Sequence, residues 1–271
     1  VRFRIEKERG ILLRAWINGS GPYLFALDTG AGLNVITERL VTQARLQVKT
    51  VRPAVMGGLT GATIISNREA AIDRVALGDV NNFLPVNQTA MIVSYLPSGI
   101  DGILDPTEAY APYGYSIDMP KQRMDALDPG TSVLQGRQLS VDSAVVPWLH
   151  EGGSGRPFVR LGDGRLALVD TGSSFGLAVN ERHAVIVSNQ RGRGNAEATR
   201  DIAGGTITSR RVSPTTITIG DLVLRGVPTD ILFGVEEEAP VILGRDALYP
   251  FRITFDPRRR LIEFVTSSQA D

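Results

Sequence analysis

The chain has 271 residues, of which 42% are hydrophobic and 21% charged, so it can bury one large core or two of about 130 residues each. Lysine and arginine together number 29, and so do aspartate and glutamate; with no net charge, and no apolar run near the ~20 residues of a membrane span, neither nucleic-acid binding nor membrane insertion is expected. Cysteine is absent, and the only histidines, His150 and His183, lie in no ligand-spaced cluster, which excludes disulfides, thiol catalysis and thiolate metal sites and leaves no metal or cofactor to expect. The chain starts at Val1 and not Met, as after removal of a leader, which favours a periplasmic or secreted location.

In chain order, Arg2 to Ile5 alternates as a half-buried strand does, and Ile11 to Ile17 and Tyr23 to Leu27 form two further strand patterns around the turn-rich Asn18 to Pro22. That hairpin delivers Asp28 at a strand end. After the apolar run Leu33 to Ile36, Thr37 can cap a short helix over Glu38 to Leu46. Val51 to Val55 and Thr63 to Ile65 flank the glycine-rich tip Gly57-Gly58-Leu59-Thr60-Gly61 and predict a mobile hairpin. Short strands follow at Val75 to Val80 and Ala90 to Val93, then the stretch Ile100 to Asp105, and Tyr115 to Met124 reads as strand, turn, strand. Asp101, Asp105 and Asp118 are expected as exposed turn residues. In the second half, Gln190 to Arg200 is expected as an exposed loop, and Arg258-Arg259-Arg260 as a solvated hairpin turn.

The second half repeats the programme of the first. Leu27-Asp28-Thr29-Gly30-Ala31 recurs as Val169-Asp170-Thr171-Gly172-Ser173, each copy led in and out by apolar runs. Asp170 lies 142 positions after Asp28 (170 − 28), and Gly220-Asp221 lies the same distance after Gly78-Asp79. Gly204-Gly205 answers the first glycine tip, and Val241-Ile242-Leu243-Gly244 answers Gly102-Ile103-Leu104-Asp105. Repeats this long are duplicated domains and not solenoid units. The expected organisation is all-β, with two similar lobes over residues 1–128 and 129–271, one or two short helices in each, and a join near Asp128-Pro129-Gly130.

These residues carry a resemblance. Two Asp-Thr-Gly segments, each followed by a glycine-rich hairpin and then by an apolar-apolar-glycine segment, resemble the pepsin-like and retropepsin-like aspartic peptidases over nearly the whole chain. The tips Gly57, Gly58, Leu59 and Gly61, with Gly204 and Gly205, and Ala31 after the first motif, are similar to the retroviral type; two halves on one chain is the pepsin arrangement. The resemblance implies a bacterial-type, single-chain protein with tandem acid-protease-like lobes, acting as a monomeric aspartic endopeptidase on a polypeptide. It implies Asp28 and Asp170 as the catalytic pair, Thr29, Gly30, Thr171, Gly172 and Ser173 as their support, and the glycine tips as substrate-covering flaps.

Elementary chemistry agrees with that implication. Two carboxylates sharing one water can hydrolyse a peptide bond, the ionised one taking the water's proton while the protonated one polarises the scissile carbonyl. In pepsins, which the chain resembles, a hydroxyl at this place donates to the ionised carboxylate; Ser173 has one and Ala31 does not, which implies Asp170 as the ionised base and Asp28 as the proton carrier, and the zero net charge leads to an expected rate maximum at roughly pH 4 to 6. Two departures from the family pattern stand out: Asp105 where Gly244 stands in the second half, and no aromatic residue at either tip. They support the alternative of a catalytically inactive, retropepsin-like binding or assembly module. A small-ligand carrier would leave the paired motifs unexplained.

Overall fold

The computed structural model describes residues 1–96, 99–127, 142–150, 155–184 and 196–267. The expected join at Asp128-Pro129-Gly130 lies outside them, as do residues 190–195 of the expected loop.

The first half folds into one twisted sheet. Its strands are β1 (Arg4–Glu6), β2 (Gly10–Ile17), β3 (Ser20–Leu27), β4 (Val35–Thr37), β5 (Gln47–Gly57), β6 (Thr63–Ile72), β7 (Val75–Leu77), β8 (Gln88–Val93) and β9 (Gly102–Leu104). They lie in the order β1-β2-β3-β9-β4-β8-β6-β5, with β7 against β2. The β2–β3 turn is the two-residue Asn18-Gly19, with φ of 50° and 83°; both residues sit in the left-handed region that matches the twist of a tight hairpin. Helix α1 (Glu38–Gln43) is capped by Thr37, whose Oγ1 accepts from Leu40 N–H at 3.3 Å. It stops short of the expected Leu46 because Arg45 turns left-handed, letting Leu46 N–H reach Val41 O at 3.0 Å and tucking the Leu46 side chain into the core. Helix α2 (Pro106–Tyr110) follows β9.

Strands β10 (Tyr115–Asp118), β11 (Arg123–Ala126) and β12 (Ser143–Pro147) leave this sheet for another one. The second half then builds β13 (Phe158–Arg160), β14 (Leu166–Asp170), β15 (Leu177–Asn180), α3 (Glu181–Ala184), β16 (Ala196–Arg200), β17 (Thr206–Ile219), β18 (Leu222–Phe233), β19 (Val241–Gly244) and α4 (Arg245–Leu248). Its sheet order is β13-β14-β19-β15-β18-β17-β16, which matches β2-β3-β9-β4-β8-β6-β5 strand for strand. The chain closes with β20 (Phe251–Asp256) and β21 (Leu261–Thr266). The fold is all-β and two-lobed, with short helices at the strand ends.

A third sheet, β11-β10-β20-β21-β12, is shared by the halves. In it β10 pairs with β20, Ile117 opposite Ile253, and Tyr115 stacks on Phe255 at 4.7 Å between ring centres. One hydrophobic cluster runs from Phe3 and Ile11 through this sheet to Val169 and Leu243, so the lobes share a core beneath the site.

Two expectations are corrected here. Ala196–Arg200 is a strand, not a loop; its five side chains are all exposed, so no alternation of apolar residues marks it in the sequence. Asp101, Asp105 and Asp118 are buried, because each carboxylate turns inward to accept hydrogen bonds. Asp101 accepts from Leu24 N–H at 2.9 Å and pairs with Arg39, and Asp118 accepts from Lys121 N–H at 3.1 Å and Ser267 Oγ at 3.0 Å.

Candidate active site

Strands β3 and β14 end at the lobe interface and hand over there to two loops of the same sequence, Asp-Thr-Gly. Parallel pairing with β9 and β19 fixes their height: Leu27 lies opposite Leu104, and Asp170 opposite Gly244. The threonines lock the loops to each other. Thr29 Oγ1 donates to Val169 O at 2.6 Å and accepts from Thr171 N–H at 3.0 Å. Thr171 Oγ1 donates to Leu27 O at 3.3 Å and accepts from Thr29 N–H at 3.1 Å. Both threonines are fully buried, so four hydrogen bonds that cross the interface are shielded from water.

This clasp brings the acids together. Asp28 Oδ1 accepts from Gly30 N–H at 2.8 Å, and Asp170 Oδ1 from Gly172 N–H at 2.8 Å and Ser173 N–H at 3.0 Å. The carboxyls of Asp28 and Asp170 each lie against the other loop's glycine. Each glycine leaves room for the opposite acid: a Cβ on Gly30 would lie 2.8 Å from the Asp170 carboxyl carbon, and one on Gly172 would lie 2.5 Å from that of Asp28. Burial, followed by the Asp170 charge, pushes the Asp28 carboxyl well above the usual carboxylate range.

Two further charged groups stand behind the loops. Asp105, which ends β9 and caps α2, is buried; its Oδ1 accepts from Thr107 N–H at 2.9 Å, and burial raises its carboxyl to about 7. The Arg245 guanidinium is buried behind the second loop and donates to Thr171 O at 3.0 Å, Gly172 O at 2.6 Å and Lys7 O at 2.9 Å. Its charge acts on Asp170 more than on Asp28.

The β5–β6 and β16–β17 hairpins meet at their tips. Asp201 Oδ1 holds its own turn, accepting from Ala203 N–H at 3.1 Å and Gly205 N–H at 2.8 Å. Its Oδ2 crosses to the first tip and accepts from Thr60 N–H at 3.1 Å and Thr60 Oγ1 at 2.6 Å. Gly58 lies against the Asp201 carboxylate, Gly205 against Thr60 and Gly61 against the Glu236 carboxylate, where a side chain would collide; Gly57 and Gly204 face open space. Glu236 N–H donates to Leu59 O at 2.8 Å. The apolar tips are exchanged: Leu59 packs on a cluster of the second lobe with Ala178, Leu232 and Ile242, and Ile202 on one of the first with Val35, Met56 and Ile103.

One contact differs from the sequence expectation. Ser173 reaches Asp170 through its backbone N–H, while its hydroxyl oxygen accepts from Phe175 N–H at 3.4 Å. The asymmetry between the acids is therefore two N–H donors on Asp170 against one on Asp28, and it does not come from a hydroxyl that Ala31 lacks. Sequence reasoning missed Thr60, Asp201, Ile202, Glu236 and Arg245. The signal for Arg245 was in view, since Gly244-Arg245-Asp246 continues the Ile242-Leu243 run already matched to the first half; Thr60 stood inside the glycine tip.

No curated protein matches the chain. Residues 13–104 match the family model described as aspartyl protease, a stretch that runs from β2 to the end of β9 and holds Asp28, Thr29, Gly30 and the whole first hairpin, so this part of the chain is aspartyl-protease-like.

Proposed function

We propose that the protein is an aspartic endopeptidase whose two lobes form a fused, retropepsin-like repeat and whose dyad is Asp28 and Asp170. One observation carries the reading: the acids meet across a reciprocal Thr29–Thr171 clasp, and each fills the space left by the other loop's glycine. A pair of turn acids kept only for local capping would not require two glycines to make room for the opposite carboxyl.

The reaction follows from the proton count. Two carboxyls this close hold one proton between them; that aspartic peptidases share a proton in this way is a known general pattern. Ionised Asp170 takes a proton from the water between them as the oxygen attacks the scissile carbonyl carbon, while Asp28 gives its proton to the carbonyl oxygen. The tetrahedral diol then collapses: its hydroxyl returns a proton to Asp28, Asp170 passes its own to the leaving nitrogen, and the C–N bond breaks. The dyad ends with the single proton it began with. The hairpins shut over the chain and exclude bulk water. Since one chain carries both acids, a monomer suffices.

The test is hydrolysis of an unstructured protein such as casein, with pepstatin as inhibitor. Turnover that pepstatin blocks, and that falls by at least about a thousandfold in both Asp28→Asn and Asp170→Asn while their circular dichroism is unchanged, supports the reading. Turnover surviving in either variant, or none in the wild type on any peptide library, removes it.

A further inference from the structure

Behind the dyad the two lobes differ in charge. Leu27 pairs with Leu104 and Val169 with Leu243, so the next residue of the supporting strand is Asp105 in the first lobe and Gly244 in the second. The next position differs too, Pro106 against Arg245. A carboxyl only 1% exposed therefore stands behind the Asp28 loop, and a guanidinium 5% exposed behind the Asp170 loop. The Arg245 charge acts on Asp170 more than on Asp28, and an ionised Asp105 disfavours a second charge at Asp28.

We propose that Asp105 is a positioning residue for the dyad: its buried carboxyl, once ionised, opposes a second charge at Asp28 and so keeps the shared proton there, with the Arg245 guanidinium facing Asp170 across the pair. The place of the proton is a property of the folded protein; its use in catalysis rests on the peptidase reading.

The groups around Asp105 are few. Asp28 faces it from the end of β3, and Glu108 from its own helix. The Tyr115 hydroxyl of β10 meets Thr107 Oγ1 at 3.0 Å beside it, and Gly32 lies under the side chain of Arg156. On the far side Arg245 faces Asp170, with Asp246 beside it. Asp105 carries its proton until the pH approaches about 7, mainly because of burial. Once it ionises it repels a second charge at Asp28, so the dyad holds its single proton to higher pH than it would with a glycine there.

A plainer role for Asp105 is the helix cap alone, through Thr107 N–H. Asparagine and serine cap about as well as aspartate but bear no charge, and that separates the roles. We would measure kcat/KM against pH on one peptide for wild type, Asp105→Asn and Asp105→Ser. The expected result is an alkaline limb displaced to lower pH in both variants, with about a tenfold loss at pH 8 and a smaller one at pH 5. In parallel, the carboxyl carbon resonance of Asp28 would be titrated in wild type and both variants; its midpoint falls in each variant. The resonance needs no turnover. A displaced midpoint without hydrolysis would sink the peptidase reading and keep the role of Asp105. An unchanged midpoint in folded Asp105→Asn or Asp105→Ser, with an unchanged limb wherever turnover is seen, would overturn the proposal and leave a cap. If the asparagine variant does not fold, the smaller serine gives the same measurement.

Discussion

The Asp201 carboxylate ties the two hairpin tips together, which on the peptidase reading governs access to the cleft, and Asp201→Asn tests how strongly. In the wild type one oxygen is committed to the second tip's own turn, with Ala203 and Gly205 N–H at 3.1 and 2.8 Å, and the other to Thr60, with its N–H at 3.1 Å and Oγ1 at 2.6 Å. Asparagine has one carbonyl oxygen. The turn retains it, and the new NH2 then faces Thr60 N–H, donor against donor. Two charge-assisted bonds vanish, each worth about 1.5–3 kcal/mol when shielded. The tips are half-exposed, so water replaces much of that, and a net loss of about 1–3 kcal/mol remains. It corresponds to a shift toward the open hairpins of roughly fivefold to a hundredfold. Leu59, Ile202 and the Glu236 N–H bond to Leu59 O still hold the tips in part. Hydrogen exchange without substrate reads this directly: the amides of Thr60 and Glu236 should exchange about tenfold faster in Asp201→Asn, while those of Leu13 and Phe25 in the β2–β3 hairpin do not change. Thr60→Ala, which keeps the Thr60 N–H bond to Asp201 but loses the hydroxyl's bonds to Asp201 and Ala62 N–H, should show a smaller effect of the same sign. Unchanged exchange at Thr60 and Glu236 in a folded Asp201→Asn would refute the latch.

Other outcomes follow from the same geometry. Thr29→Val should cost about 2–6 kcal/mol in urea unfolding, because it leaves Val169 O and Thr171 N–H buried without partners; a loss under about 1 kcal/mol would mean that the clasp is not a main tie between the lobes. The folded protein binds a proton at Asp105 up to about 7, against 3.8 as the ordinary carboxyl value, so unfolding releases that proton throughout this window and stability falls as pH rises from about 4 to about 7. The full fall is roughly 4 kcal/mol for this group, and Asp105→Asn should flatten it; parallel pH–stability curves for the two proteins would contradict the assignment. Ala31→Ser should leave the kcat/KM profile nearly unmoved, since the matching Ser173 hydroxyl lies against Phe175 N–H and not on Asp170; a displacement of a full pH unit would restore the hydroxyl argument.

Local chemistry carried much of the fold into view. Asn18-Gly19 announces a tight hairpin, Thr37 caps α1 as its place before the apolar stripe implies, and the paired Asp-Thr-Gly segments mark the two strand ends that the structure brings together. What stayed hidden depends on distant partners. Nothing in Tyr115 to Asp118 says that its neighbour is Phe251 to Asp256, since the pairing joins strands from opposite halves. Asp201 looks like one more exposed acid until the other tip arrives with Thr60. The three inward acids misled for a related reason: Asp101 before Gly102, Asp105 before Pro106 and Asp118 two before Pro120 read as surface turns, and only the backbone donors of Leu24, Thr107 and Lys121 show that each is satisfied inside.

The departure at Asp105 looks at first like a flaw in a symmetric design, and the paired lobes give it another meaning. A dimer of identical halves must place the same residues behind both acids, so its free dyad cannot prefer either carboxyl for the proton. A fused pair of lobes, as proposed, escapes that constraint, and here the lobes differ at Asp105 against Gly244, Pro106 against Arg245 and Ala31 against Ser173 while sharing the clasp and the strand order. If the proton sits on Asp28 as proposed, the oxygen that must be protonated points toward one lobe and the attacked face of the carbonyl toward the other. An extended polypeptide of fixed chain direction then has one productive orientation in the cleft, where a symmetric dimer would accept two that are equivalent. On the proposed reading, the charge difference behind the loops therefore selects the direction of the substrate as well as the acid and the base.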